Sequence, residues 1–127
     1  MKNLIIIAIL VASLFAIYKA VSISNVGKGI TDDQAQLIMF HGDGCPHCKI
    51  VLDFIKADKV DEKIKISYHE VYYNKTNQNL LAETAKKCPE IDTSQGIGVP
   101  LAYDKANNKC MIGDTPIIDW LKSQMLK

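Results

Sequence analysis

Gly42-Asp43-Gly44-Cys45-Pro46-His47-Cys48-Lys49-Ile50-Val51 decides how this chain is read. Two thiols stand two residues apart, with a proline directly after the first. The apolar run Leu37-Ile38-Met39-Phe40 ends just before the glycines and predicts a short buried strand. Pro46 suits the first turn of a helix. Ile50, Val51, Phe54 and Ile55 recur at helical spacing opposite Lys49, Asp53 and Lys56, which predicts a helix over 46–57. Strand, turn and helix would therefore hold Cys45 at a helix mouth. The unpaired N–H groups and dipole of a first turn stabilise a thiolate, and activated cysteines of this kind have pKa values of roughly 3.5–7.5. Cys45 is then the attacking thiol and Cys48 the resolving thiol behind it. His47 supplies a donor or a positive charge beside Cys45. Stabilising the thiolate stabilises the reduced pair and makes the disulfide more oxidising. This chemistry resides in the thiols and calls for no cofactor.

Two other readings of the pair stand beside this one. An inert disulfide across two residues closes a loop with little entropic value. A metal site is the competing function: Cys45, Cys48, His47 and His41 are ligand types for zinc or copper, as in a metal chaperone. Against it, one Cys-x-x-Cys is half a zinc site, and Cys88 and Cys110 lie too far apart in sequence to be a matching second pair.

Downstream, Ile64, Ile66 and Tyr68 alternate with Lys65, Ser67 and His69, a half-exposed strand with His69 on its solvated side. Asn77–Lys87 reads as a second helix ended by Pro89, with Leu80, Leu81 and Ala85 inward. Thr93–Gly98 is a glycine-rich loop. Val99–Tyr103 and Lys109–Ile112 are strands around the turn residues Asp104–Asn108. Thr115 and Pro116 read as the cap and first position of a last helix, whose apolar face is Ile117, Ile118, Trp120, Leu121 and Met125. The order is β-α-β-α-β-β-α. Tyr68, Tyr72 and Tyr73 are expected to pack along a strand edge, and Trp120 in the core.

The chain of 127 residues suffices for one domain. Residues 1–21 read as a signal peptide or membrane anchor, because Leu4–Tyr18 is apolar apart from Ser13 and flanked by Lys2 and Lys19. The apolar stretch alone is shorter than the ~20 residues of a spanning helix, and extending it through Ile23 reaches that length. Residues 22–35 read as a linker and 36–127 as the folded domain. Without Lys2 and Lys19 the chain carries 13 lysines against 14 acids, and it contains no arginine. Lacking arginine and any basic patch, it is not expected to bind nucleic acid. Export would place the protein outside the cytoplasm, periplasmic or secreted, and its cysteines in an oxidising compartment.

The domain resembles the thioredoxin fold superfamily over residues 36–126. The resemblance rests on Cys45-Pro46-His47-Cys48 after a short strand, on Gly96-Ile97-Gly98-Val99-Pro100, and on the terminal hairpin and helix. The element order is similar to that of glutaredoxins, and the Pro-His dipeptide to that of DsbA-type oxidases. The resemblance implies a mixed four-stranded sheet with helices on both faces. It also implies a thiol–disulfide oxidoreductase acting on protein thiols or disulfides, or on a redox partner, through a mixed disulfide at Cys45. By the same resemblance Pro100 is cis and lies opposite the dithiol, and the Val99 backbone pairs with an extended substrate segment. Two family features are missing. A buried acid six residues before the first cysteine is here Met39, so that His41, Asp43 or a water must handle the proton at Cys48. The helical insertion of the larger oxidases is also absent, since 74–87 holds one helix.

Three arrangements remain open for Cys88 and Cys110. They form a structural disulfide closing a loop of about 23 residues, they stay two partly buried thiols, or they relay electrons to the first pair. His41, at the end of the first strand, is either a partly exposed strand-end residue or a proton carrier for the dithiol.

Overall fold

The computed structural model describes residues 29–127, together with Val11 and Ser13. The rest of the expected export segment 1–21, and residues 22–28 of the expected linker, lie outside the described residues. Among the described residues no helix is long and apolar enough to cross a membrane.

The elements are β1 (Leu37–His41), α1 (Pro46–Ala57), a 3-10 turn (Val60–Glu62), β2 (Ile66–Glu70), α2 (Lys75–Ala85), β3 (Leu101–Asp104), β4 (Lys109–Ile112) and α3 (Asp114–Met125). They form one four-stranded sheet in the order β2-β1-β3-β4. β1 runs parallel to β2 and antiparallel to β3, and β3 pairs antiparallel with β4. This is the expected α/β architecture with a mixed sheet, consistent with a thioredoxin-like arrangement. Over residues 29–127 the 3-10 turn is the one addition to the expected order.

Alternation along β1 divides the core in two. Leu37 and Met39 face one side, against Val51 and Ile55 of α1 and Ile117 and Leu121 of α3. Ile38 and Phe40 face the other, against Leu81 of α2, Val71, Tyr103, Cys88 and Cys110. Helices thus cover both faces. Each fully buried Val, Leu, Ile or Phe contributes roughly 1.5–3 kcal/mol, which makes this two-sided burial the main force holding the sheet.

Several local expectations are corrected. The buried stripe of α1 is Cys48, Val51 and Ile55, while Ile50 is 48% exposed. The helix turns on the 3–4 spacing of those three residues, which leaves Ile50 outside. α2 starts at Lys75 because the Asn74 side chain caps it, accepting from Asn77 N at 3.1 Å. α3 begins at Asp114, with Gly113 at φ +92° before it, so Thr115 is already helical and does not cap. Asp114 Oδ1 instead accepts from Thr115 N at 2.6 Å and Thr115 Oγ1 at 3.1 Å.

Ile64, just before β2, and Ile66, its first residue, are buried as expected, but Tyr68 is partly exposed and donates to Asp61 at 2.7 Å. Register sets Ser67 beside Ile38 and His69 beside Phe40, on a face that the second core covers. His69 is therefore not simply solvated. It stacks on Phe40 with ring centroids 5.4 Å apart and bonds Asp32 Oδ1 through Nε2 at 2.7 Å. Ser67 Oγ donates to the same carboxylate at 2.5 Å. Polar groups carried onto a covered face need such partners. β2 ends at Glu70, so Tyr72 and Tyr73 lie beyond the edge strand, 50% and 83% exposed. Trp120 is only partly buried and donates its indole N–H to Asp104 at 2.8 Å.

Cys88 and Cys110 are both buried, with Cα atoms 5.8 Å apart and sulfurs at disulfide distance. They link the residue just beyond α2 to the edge strand β4. Two separate thiols is the arrangement this geometry overturns.

Candidate active site

The site lies where β1 ends and α1 begins. Gly44, at φ +80°, makes the turn there without the steric cost of a side chain. Gly42 is buried beneath the Tyr72 ring, and a Cβ at Gly42 would fall 2.4 Å from ring carbon Cζ. The Glu70 carboxylate fixes this loop from β2. It accepts from the backbone N–H groups of Asp43 at 3.4 Å, Tyr72 at 2.6 Å and Tyr73 at 3.0 Å. Burial pushes the Glu70 carboxyl up, but these three donors and the neighbouring His41 outweigh it and hold it below the usual carboxylate range.

Cys45 is the N-cap of α1 and Pro46 its first residue. Cys45 Sγ accepts from Cys48 N at 3.2 Å, so the sulfur sits on the unpaired donors of the first turn, as the sequence predicts. Cys45 and Cys48 have Cα atoms 5.2 Å apart and sulfurs at disulfide distance. Cys45 retains 7% exposure and Cys48 1%. Both are buried, Cys45 the less so although it stands at the helix mouth.

Val99 explains that cover. Its carbonyl oxygen lies 3.6 Å from Cys45 Sγ, although the two residues are 54 apart in sequence. The Val99-Pro100 peptide is cis, and Pro100 is buried. β3 begins directly after it, so the sheet itself carries Val99 to the dithiol. Cys45, Cys48, Pro46, Val99 and Pro100 are thus brought together.

His41 and Asp43 share an open groove of about 470 Å³ with Cys45, Cys48, Lys49 and Leu52. Met39 is fully buried in the core below and offers nothing that titrates. The groove thus gives the pair polar neighbours, His41 from the end of β1 and Asp43 from the loop after it, that Met39 does not supply.

His47 has a partner that its place in the motif did not announce. Its Nδ1 lies 2.8 Å from Asp114 Oδ2, across 67 residues of sequence. The His47 bond first, and the Thr115 N–H next, hold the Asp114 carboxyl below its ordinary range against a small opposing effect of burial. Sequence reasoning did not assign Asp114 to this pair. The one available signal was an acid at the start of a predicted helix, which is common. Among the described residues no group of three or more His, Cys, Asp or Glu side chains is arranged to hold a metal ion. Cys88 and Cys110 lie across the second core, away from the groove residues.

Comparison of the chain with protein-family models, curated proteins and solved structures finds no match.

Proposed function

We propose that this protein is a thiol–disulfide oxidoreductase that works outside the cytoplasm on protein thiols or disulfides, or on a redox partner. The observation that carries the reading is the setting of Cys45. Its sulfur caps α1, is bonded to a buried Cys48, and lies beside the Val99 carbonyl. A substrate thiolate attacks Cys45 Sγ, and the Cys45–Cys48 bond breaks with its electron pair going to Cys48. A second substrate thiolate then attacks the substrate sulfur of the mixed disulfide, and Cys45 leaves as the thiolate. Two electrons pass from substrate to protein, and the reverse sequence reduces a substrate disulfide. The carbonyl of Val99 suits an extended segment laid alongside by strand addition.

Location outside the cytoplasm is supported by the apolar stretch after Lys2 and by the second cysteine pair at disulfide distance. An uncleaved N-terminal segment would tether the domain to a membrane. Fractionation that recovers the protein in the cytoplasm would overturn this part.

Equilibration in glutathione buffers tests the activity. Cys45–Cys48 is expected to titrate as one two-electron couple. A potential near about −270 mV would mark a reductant and near about −120 mV an oxidant, the values of thioredoxin and DsbA. Cys45→Ser is expected to abolish exchange, and Cys48→Ser to accumulate the mixed disulfide. Tight binding of one copper ion, with no exchange in either direction, would sink the proposal in favour of a metal chaperone.

A further inference from the structure

We propose that His47 and Asp114 form a dyad that takes the proton from the incoming thiol as it attacks Cys45. The inference rests on the exchange activity proposed above. Exchange proceeds only through a thiolate. An ordinary cysteine thiol, with a pKa of about 8.5, is mostly protonated at neutral pH. A base at the mouth of the site removes that obstacle.

The geometry supplies one. His47 is the second residue of α1, two after Cys45, and its side chain is 69% exposed. Asp114 opens α3, its side chain is 22% exposed, and Thr115 N and Oγ1 hold its second oxygen. A carboxylate only accepts, so in the neutral ring the proton sits on Nδ1, facing Asp114. Nε2 then carries the lone pair, and it has no hydrogen-bond partner among the described residues. Asp114 is a positioning residue in this scheme: it sets the tautomer and stabilises the imidazolium that forms. Its lowered carboxyl pKa keeps it anionic at neutral pH.

The step balances as follows. The substrate S–H gives its proton to His47 Nε2, and its sulfur electron pair forms the bond to Cys45 Sγ. The Cys45–Cys48 bond breaks, its pair leaves on Cys48, and the imidazolium passes its proton to water. The second substrate thiol repeats the transfer, forms the substrate disulfide and releases Cys45 as the thiolate. The substrate dithiol is oxidised and Cys45–Cys48 reduced. In reverse, the imidazolium protonates the departing substrate sulfur.

The test uses the oxidised full-length protein at pH 7 and two probe thiols. 2-Mercaptoethanol is almost wholly protonated there, and 4-nitrothiophenol is ionised. His47→Gln and Asp114→Asn are expected to slow the first reaction about hundredfold or more and the second by less than about twofold, since only the protonated thiol needs a base. Asp114→Glu is expected to recover most of the loss. Equal slowing with both thiols, or no slowing with either, would overturn the dyad while leaving exchange intact. A wild-type protein that reacts with neither thiol would overturn the exchange activity and the dyad with it.

Discussion

Asp104 shows how one residue sets the acid limit of this fold. It is buried at the end of β3 and accepts from Ala106 N, Asn107 N, Asn107 Nδ2 and Trp120 Nε1. Burial pushes its carboxyl up, but these donors outweigh burial and hold it below the ordinary range. A folded pKa below the unfolded one, about 3.9, gives stability that is complete above that value and lost as pH falls through the folded value. Asp104→Asn is therefore expected to lower unfolding free energy at pH 7 by about 1.5–3 kcal/mol, the usual range for hydrogen bonds to a charged group. The deficit should narrow as pH drops below about 4, as urea titrations of wild type and variant at pH 7 and pH 3 would reveal. Comparing the two proteins isolates Asp104 from Asp32, Glu70 and Asp114, whose carboxyls are also held low. A deficit that stays constant with pH would mean the charge is not what matters. None of this was legible in the sequence. Asp104 reads as one turn residue among several, and Trp120, which reads as core, spends its N–H on it from 16 residues away.

At the scale of elements, the second cysteine pair brackets the loop that carries Val99. Cys88 follows α2, Cys110 lies in β4, and the chain between them includes residues 89–100 and β3. Glu90 adds a tie, its carboxylate accepting from Cys110 N at 3.0 Å. With 22 residues of separation, replacing both cysteines by alanine is expected to cost about 3 kcal/mol in denaturant unfolding. A loss below about 1 kcal/mol would show that the pair does little to restrain the unfolded chain. Helix α1 was legible almost residue for residue, because its signals are local: a proline at the first position and a 3–4 apolar spacing. Its buried face was less so. Ile50 and Val51 are equally apolar, and only the placement of β1 and α3 selects Val51.

For the whole molecule, the topology separates the two cysteine pairs. Cys45–Cys48 lies at the end of the sheet, along an open groove. Cys88–Cys110 lies across the second core, at 1% and 4% exposure. Under native conditions a dithiol reductant is expected to open Cys45–Cys48 first, because Cys45, at 7% exposure, is the least buried of the four cysteines and exchange requires access to a sulfur. Alkylation followed by peptide mapping reads the order. Simultaneous reduction would mean that the second pair is exposed by local opening of the core, and would revive a relay between the pairs. The same topology brings Val99 and Asp114, 54 and 67 residues from their partners, to one end of the sheet. β3 and α3 both start at the end where β1 stops.

The sequence alone determined the dithiol, the helix behind it, the order of the elements and the α/β class. Each of these depends on residues within one or two turns of each other, where periodicity, proline and glycine act directly. Tertiary structure decided the rest. His47 pairs with Asp114, His69 is engaged by Asp32, and Val99 covers Cys45. Strand register and helix packing choose these partners, and a local pattern holds no record of them. The Cys-Pro-His-Cys motif can be read from its own residues; Val99 and Asp114, which contact it, come from elements that only the fold makes neighbours.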